Sequence, residues 1–116
     1  MSRSVLLQLA RDSIQEVLEA SRTIDKEHLL EQYPLLGEKI ATTLNIYLNF
    51  ELRGSSSTKT PLNSLLEDIV KNAKKAAFED KNSSPITTSE YLHCEIELIL
   101  ATEDGEMSER DKAIIK

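Results

Sequence analysis

Cysteine is nearly absent from this sequence, because Cys94 is the single thiol among 116 residues. One cysteine cannot form an internal disulfide, and His28 and His93 stand isolated, so the sequence contains no metal-ligand spacing. We therefore expect no bound metal and no cofactor. We also expect a reducing compartment, with the cytoplasm as the location.

Long apolar runs and an excess of basic charge are also missing. No segment approaches the ~18 consecutive apolar residues that a membrane span needs, and the N-terminus lacks the basic region and apolar core of a signal peptide. Lysine and arginine total 14 against 20 acidic residues, and the net charge of -6 repels the phosphate backbone that dominates nucleic-acid affinity. Neither a membrane nor a nucleic acid is an expected partner.

Aromatic residues contribute only 4% of the chain and tryptophan is absent, so the core has to come from leucine, isoleucine, valine and alanine. Apolar residues make up 40% and charged residues 29%, which is typical of a globular protein. The length fits one domain. We predict a single domain over residues 1–116, with a core at about residues 4–100 and a charged C-terminal segment at 101–116.

Three segments have the 3.6-residue period of amphipathic helices. The first places Arg11 on its polar side, and the second has Asp25 as its capping residue. The third is predicted to be capped by Thr60, with Pro61 in the first helical position. These segments cover residues 4–20, 25–33 and 60–78.

Two segments instead alternate between apolar and polar residues, which predicts strands. In residues 40–50 the alternation fits either one long strand or a hairpin, and no glycine adjoins the two asparagines that would form a tight turn. In residues 92–100 one face is apolar and the other carries Glu95 and Glu97, which are predicted to be solvated rather than to form a pair of catalytic acids.

Local signals predict two shorter features around the second strand. Thr87 and Glu90 have the spacing of a capping box, which predicts a brief helical turn. Asp104 and Gly105 predict a turn in the charged C-terminal segment. The order of helices and strands along the chain therefore predicts an α+β fold.

The segment from Arg53 to Thr60 is predicted to be a loop that joins a strand to the third helix. Backbone amides left unpaired at a helix N-terminus can hold an anion. The segment superficially resembles a phosphate-binding P-loop, but Thr58 replaces the glycine before the lysine and Pro61 removes an amide, so nucleotide binding is not expected. The candidate residues for binding a smaller anion are Arg53, Gly54, Ser55, Ser56, Ser57, Thr58 and Thr60.

The same segment carries a family resemblance. Four motifs resemble the AMMECR domain family: Leu52-Arg53-Gly54, Pro61-Leu62, Asn72-Ala73 and the run from Ala76 to Asp80. The resemblance implies an α+β domain in which helices pack on one face of a small, mainly antiparallel sheet, with two similar substructures sharing that sheet. The biochemical activity of the family is not established, and this chain resembles about the first half of a typical family domain.

The chain departs from the family pattern where a reactive residue is expected. The family loop is usually Leu-Arg-Gly-Cys-Ile-Gly, with the thiol as the suspected active or binding group, and here three serines at 55–57 replace Cys-Ile-Gly. A serine hydroxyl needs a positioned base, and neither histidine stands in a pattern that identifies it as one. Residues 81–83 likewise replace the usual Pro-Arg-Phe. We predict no catalytic residue.

Three residues have structural interpretations beside their functional ones. Arg53 either binds a carboxylate or phosphate, or it caps a carbonyl or pairs with an acidic neighbour such as Glu51 or Glu79. Gly54 is expected to permit a backbone turn. Cys94 alternates with apolar residues, which predicts a buried and unreactive thiol.

Two functions from different classes follow from these features. The first is a non-catalytic interaction domain that binds a protein partner or a second copy of itself as a homodimer. The alternative is an enzyme or a small-anion-binding protein that uses the segment from Arg53 to Thr60. The first is favoured because the residue best suited to chemistry in the family is the one missing here.

Overall fold

The described residues form four α-helices, one short 3-10 helix and four strands, which is the predicted α+β fold. The structure is a computed structural model that describes residues 4–80 and 84–115, so residues 81–83, which stand in place of the family's usual Pro-Arg-Phe, lie outside the described residues. Within those ranges no helix is long and apolar enough to span a lipid bilayer. The elements are α1 (Val5–Leu18), α2 (Lys26–Gln32), the 3-10 helix (Pro34–Gly37), β1 (Ala41–Leu48), β2 (Glu51–Thr58), α3 (Leu65–Phe78), α4 (Thr88–His93), β3 (Glu95–Thr102) and β4 (Gly105–Arg110).

Local capping determines where most helices begin. Ser4 accepts a hydrogen bond from the amide of Leu7 at the start of α1, and Asp25 caps α2 as predicted. The capping box of Thr87 and Glu90 at α4 is also confirmed, since each side chain accepts a hydrogen bond from the other residue's amide. Side-chain caps of this kind replace the partners that the first helical amides lack.

The predicted start of α3 at Thr60 is wrong. The helix begins at Leu65, and Ser64 caps it by accepting a hydrogen bond from the amide of Glu67. The amide of Leu65 also donates to the carbonyl of Glu38 at 2.7 Å, which ties the helix start to the end of the 3-10 helix. The pattern Ser-x-x-Glu at 64–67 is the sequence signal that identifies this start. Thr60 and Pro61 give a similar signal for an earlier start, which the helix does not use.

Most of residues 40–50 form one strand, β1, and a hairpin turn follows at the end of the segment. The turn consists of Asn49 and Phe50, whose φ angles are 53° and 66°. Positive φ at both central residues is the geometry of the type I′ turn, which matches the twist of the two strands it joins. The hairpin therefore forms without the glycine that normally occupies such a turn.

The sheet consists of two hairpins, and its strand order is β2-β1-β3-β4 with every pair antiparallel. Burial alternates along the two central strands, with Leu44, Ile46, Ile96 and Leu98 buried and their neighbours half-buried. The buried positions face α1 and α3, which supply most of the rest of the core. The long helices thus pack on one face of the sheet, as the family resemblance implies, and the opposite face carries polar side chains.

The C-terminal segment is more ordered than predicted. A turn forms there, but at Glu103 and Asp104, one residue earlier than predicted, and β4 follows it and pairs with β3 over its whole length. Arg11, predicted on the polar side of α1, is 1% exposed and forms an ion pair with Asp111 at 2.8 Å. Its guanidinium also donates to the carbonyls of Tyr91, Cys94 and Lys112. A helical wheel cannot reveal this burial, because the partner lies 100 residues away.

Candidate functional site

The expectation that residues 53–58 form a loop is wrong, because they form most of β2. They pair with β1, with Thr58 opposite Thr42 and Gly54 opposite Ile46. The turn at residues 49–50 lays the following residues beside β1, and cross-strand pairing outweighs the low strand propensity of glycine and serine. Only Thr60 of the candidate residues lies in the connection to α3, and the helix end there is capped by Ser64.

Because side chains alternate along a strand, β2 divides the candidate residues between two faces of the sheet. Ser56 donates to Oδ1 of Asn72 on α3 at 2.7 Å, and Nδ2 of Asn72 donates to the hydroxyl of Thr58 at 3.0 Å. Ser55 instead faces the helix-free side, where its hydroxyl donates to Asn45 at 2.7 Å. The structure therefore does not bring the seven predicted residues together around one position.

Gly54 allows close packing rather than a turn. Its φ is not positive, unlike that of Gly105, so the predicted turn role is wrong. A Cβ placed on Gly54 would lie 2.1 Å from the carbonyl oxygen of Ala76. Glycine is thus required for the backbone of α3 to approach β2 at this point.

Arg53 takes the structural role that the sequence left as one of two alternatives. Its Nε and Nη2 atoms donate to the two carboxylate oxygens of Glu90 at 3.1 and 3.2 Å, and Nη2 also donates to the carbonyl of Ser84 at 2.7 Å. The partner is neither Glu51 nor Glu79. The hydrogen bond from Arg53 lowers the pKa of Glu90 below its ordinary value, with only partial opposition from burial.

The helix-free face carries a hydrogen-bonded network that sequence reasoning missed. Nδ2 of Asn45 and the hydroxyl of Tyr47 both donate to the same carboxylate oxygen of Glu97 at 3.0 Å. The bond to Glu97 is the main reason why the pKa of Tyr47 is raised. Arg110 lies over the Tyr47 ring at 4.3 Å and pairs with Glu95 at 2.8 Å.

This network corrects the prediction that Glu95 and Glu97 are simply solvated. Both are half-buried, and each already interacts with a neighbouring strand. The period-two pattern could have located these residues on one face. It could not identify Arg110, because the segment that contains it was not recognised as a strand.

The groups that could act as nucleophiles are engaged by structural partners. The hydroxyls of Ser55 and Ser56 donate to amide oxygens rather than to an imidazole or a carboxylate. The Cys94 thiol is buried and donates to the carbonyl of Tyr91 at 3.2 Å, and burial raises its pKa although the Arg11 guanidinium opposes the shift. The prediction of a buried thiol is confirmed, and a thiol with a raised pKa is a poor nucleophile.

An open cleft of about 960 Å³ lies between the end of α1 and the start of α2. None of the seven candidate residues lines it. Its central carboxylate, Glu16, accepts hydrogen bonds from the amides of Thr23 and Ile24 and from Lys74. Burial alone would raise the pKa of Glu16, but these bonds lower it below its ordinary value. The carboxylate therefore fixes the loop between the helices and is not presented to a ligand.

One carboxylate in α3 has an oxygen atom that makes no hydrogen bond within the described part of the chain. Asp68 is 1% exposed, and its Oδ2 atom has no hydrogen-bond partner among the described residues. Burial raises the pKa of Asp68. The described ranges contain no group of three or more histidine, cysteine, aspartate or glutamate residues arranged to hold a metal ion, so Asp68 is not part of such a cluster.

The fold is similar to that of a solved protein structure. The uncharacterized protein PH0010 from Pyrococcus horikoshii matches with a TM-score of 0.74 and 26% sequence identity. The match covers 84% of this chain and 49% of that one, so this chain spans about half the length of that relative. No curated protein matches the sequence. The family model of AMMECR1 matches residues 7–115, nearly the whole sequence, and the chain therefore belongs to the AMMECR1 family.

Proposed function

We propose that this AMMECR1-family chain is a non-catalytic interaction domain that associates with a second copy of itself through its sheet. The observation that carries the proposal is the exposed outer edge of β4. Five of its six residues are exposed, and Met107 is exposed over 56% of its surface. An edge strand presents unpaired backbone groups that favour pairing with another strand.

The other edge of the sheet is protected by the chain itself. The amide of Ser55 in β2 donates to Asp80 at 3.0 Å, and Arg53 reaches across to the carbonyl of Ser84. These contacts place Asp80 and Ser84 beside β2. A strand from another molecule would have to displace these two residues, whereas five of the six residues of β4 are exposed.

The residues suited to chemistry also favour a binding role over a catalytic one. Arg53 is engaged by Glu90, Ser56 and Thr58 bond to the buried Asn72, and the serine in place of the family's thiol donates to Asn45. Catalysis by a serine requires a base within hydrogen-bonding distance of its hydroxyl. The described contacts of Ser55 and Ser56 provide none.

Sedimentation equilibrium over a concentration series up to the millimolar range tests the proposal. We expect the average mass to rise from that of one chain towards that of two. A constant mass of one chain across the series overturns self-association. Thermal unfolding with added inorganic phosphate is the matched test of the anion-binding alternative: a rise in Tm that disappears in Arg53→Ala would favour that alternative instead.

A further inference from the structure

We propose that β4 pairs antiparallel with β4 of a second copy about a two-fold axis at Ser108, which joins two four-stranded sheets into one continuous sheet. This inference rests on the proposed self-association and names the surface and register that it uses. The partner at the β4 edge is a second copy of the chain. In one register, two β4 strands pair their outward backbone groups and also place opposite charges across from each other.

The backbone of β4 determines which residues can pair with another strand. Just beyond the strand, the amide of Asp111 donates to the carbonyl of Ile96 at 3.0 Å, so that amide points towards β3. Amides alternate in direction along a strand, so the amides of Met107 and Glu109 also point towards β3. Their neighbours therefore direct both N–H and C=O groups outwards. These neighbours are Glu106, Ser108 and Arg110.

In a symmetric antiparallel pair, outward residues have to meet outward residues, which allows a register centred on any residue from 106 to 110. Only the register centred on Ser108 pairs all three outward residues of one strand with those of the other. The other registers leave part of each strand unpaired. Those centred on Glu106 or Arg110 also place two like charges directly opposite each other, which is destabilising.

The same register gives charge complementarity. With Ser108 opposite Ser108, Glu106 of each copy lies opposite Arg110 of the other, and these residues share the helix-free face. Arg110 already contacts Glu95 through Nε and Nη2, but its side chain remains 43% exposed. A guanidinium has five N–H donors, so it can accept a second carboxylate without releasing the first.

Charge reversal tests the register directly. Glu106→Arg places arginine opposite Arg110 in a dimer of identical chains, and Arg110→Glu places glutamate opposite Glu106. Exchanging two attractive pairs for two repulsive ones should weaken each self-association roughly ten- to a hundredfold. An equal mixture of the two variants restores both attractive pairs, so we expect association of the mixture to approach that of the wild type.

A backbone variant tests the edge independently of charge. Ser108→Pro removes an outward amide while leaving the amides that face β3, and proline is tolerated on edge strands in that orientation. We expect loss of self-association with retained far-UV circular dichroism. Ser108→Val keeps the amide and is the matched control, which should still associate.

The outcomes separate this inference from the proposed function. If the wild type does not associate, both fail. If the wild type associates and neither charge reversal nor Ser108→Pro changes the mass, then self-association stands and the β4 register is overturned. Weakening by the single charge reversals without rescue in the mixture also overturns the register, because it removes the predicted pairing of residues 106 and 110.

Discussion

The two hairpins of the sheet occupy equivalent places in the topology but are stabilised in different ways. In the β1–β2 hairpin, the outer strand is held from Gly54 onwards by α3 and by Asp80, which follows α3. In the β3–β4 hairpin, the outer strand is exposed, and the chain is fixed just beyond it by the buried pair of Arg11 and Asp111. One edge is thus protected by many modest contacts, whereas the other is exposed and has its buried ion pair just beyond the strand.

This difference teaches that similar positions in a sheet can serve different purposes. The β2 edge contains the family signature, yet its polar groups are used to seal the strand against α3. The β4 edge has no recognisable motif, yet it is the one with backbone groups available to another molecule. Substitutions that remove one kind of support at a time sharpen the contrast.

The largest effect is expected when the anchor of the second hairpin is removed. Arg11→Ala leaves the buried Asp111 without its cation, and breaking a buried ion pair in this way costs about 3–5 kcal/mol of unfolding free energy. Urea denaturation measures the change, and Arg22→Ala, at an exposed position, is the control. A loss below about 1 kcal/mol would show that the anchor is not what holds this hairpin.

A slightly smaller loss is expected where β2 meets α3. In Gly54→Ala the new Cβ would overlap a backbone carbonyl oxygen of the helix, so the strand and helix have to move apart. We expect a loss of about 3 kcal/mol in unfolding free energy, at the upper end of overpacking effects. Gly37→Ala is the matched control, because its nearest neighbour is a flexible leucine side chain at 3.8 Å. Equal losses in the two variants would contradict the proposed close approach.

A modest effect is expected from the ion pair that links β2 to α4. Arg53→Ala should cost about 1 kcal/mol at neutral pH, since the pair is bidentate but partly exposed. Lys26→Ala breaks the much more exposed pair with Glu67 and should cost less. Urea denaturation of both variants tests this order.

The same pair predicts a pH dependence. The pKa of Glu90 is lower in the folded chain than its ordinary value of 4.5, so its contribution is present above that value. The contribution is lost as the pH falls through the folded-state pKa. The stability difference between the wild type and Arg53→Ala should therefore shrink in acid, and a difference that grows in acid would contradict this assignment.

The smallest change should be a gain, at the turn of the first hairpin. Phe50 is 94% exposed and has a positive φ, so Phe50→Gly removes little packing and relieves an unfavourable backbone conformation. We expect a gain of about 1 kcal/mol, measured by urea denaturation. Phe50→Ala keeps the Cβ and should show no comparable gain. Destabilisation by glycine would mean that the phenyl ring packs within the fold.

The same contrast explains how much could be predicted from the sequence. The helix caps at Asp25 and Thr87 were correctly identified because their signals lie within a few residues. The α+β class followed from periodicity. The edge strands β2 and β4 were missed because their residues are mostly polar and their pairing depends on neighbouring strands rather than on their own composition.

The candidate site was predicted less well for the same reason. The sequence drew attention to Arg53 and left its structural role open, but it could not name Glu90, which lies 37 residues further along the chain. It also treated seven nearby residues as one group, although a strand sends alternate side chains to opposite faces. Whether any of them binds an anion stays a prediction.

The burial of Arg11 has a consequence for synthesis of the chain on the ribosome. Arg11 is translated before its carboxylate partner, which follows 100 residues later. Until then, packing α1 onto the sheet would bury a cation without its counter-ion, which is strongly unfavourable. Closure of the core is therefore expected to wait for this late contact of high sequence separation, and such contacts slow folding. Nascent chains that stop short of Asp111 should leave α1 undocked and open to proteolysis.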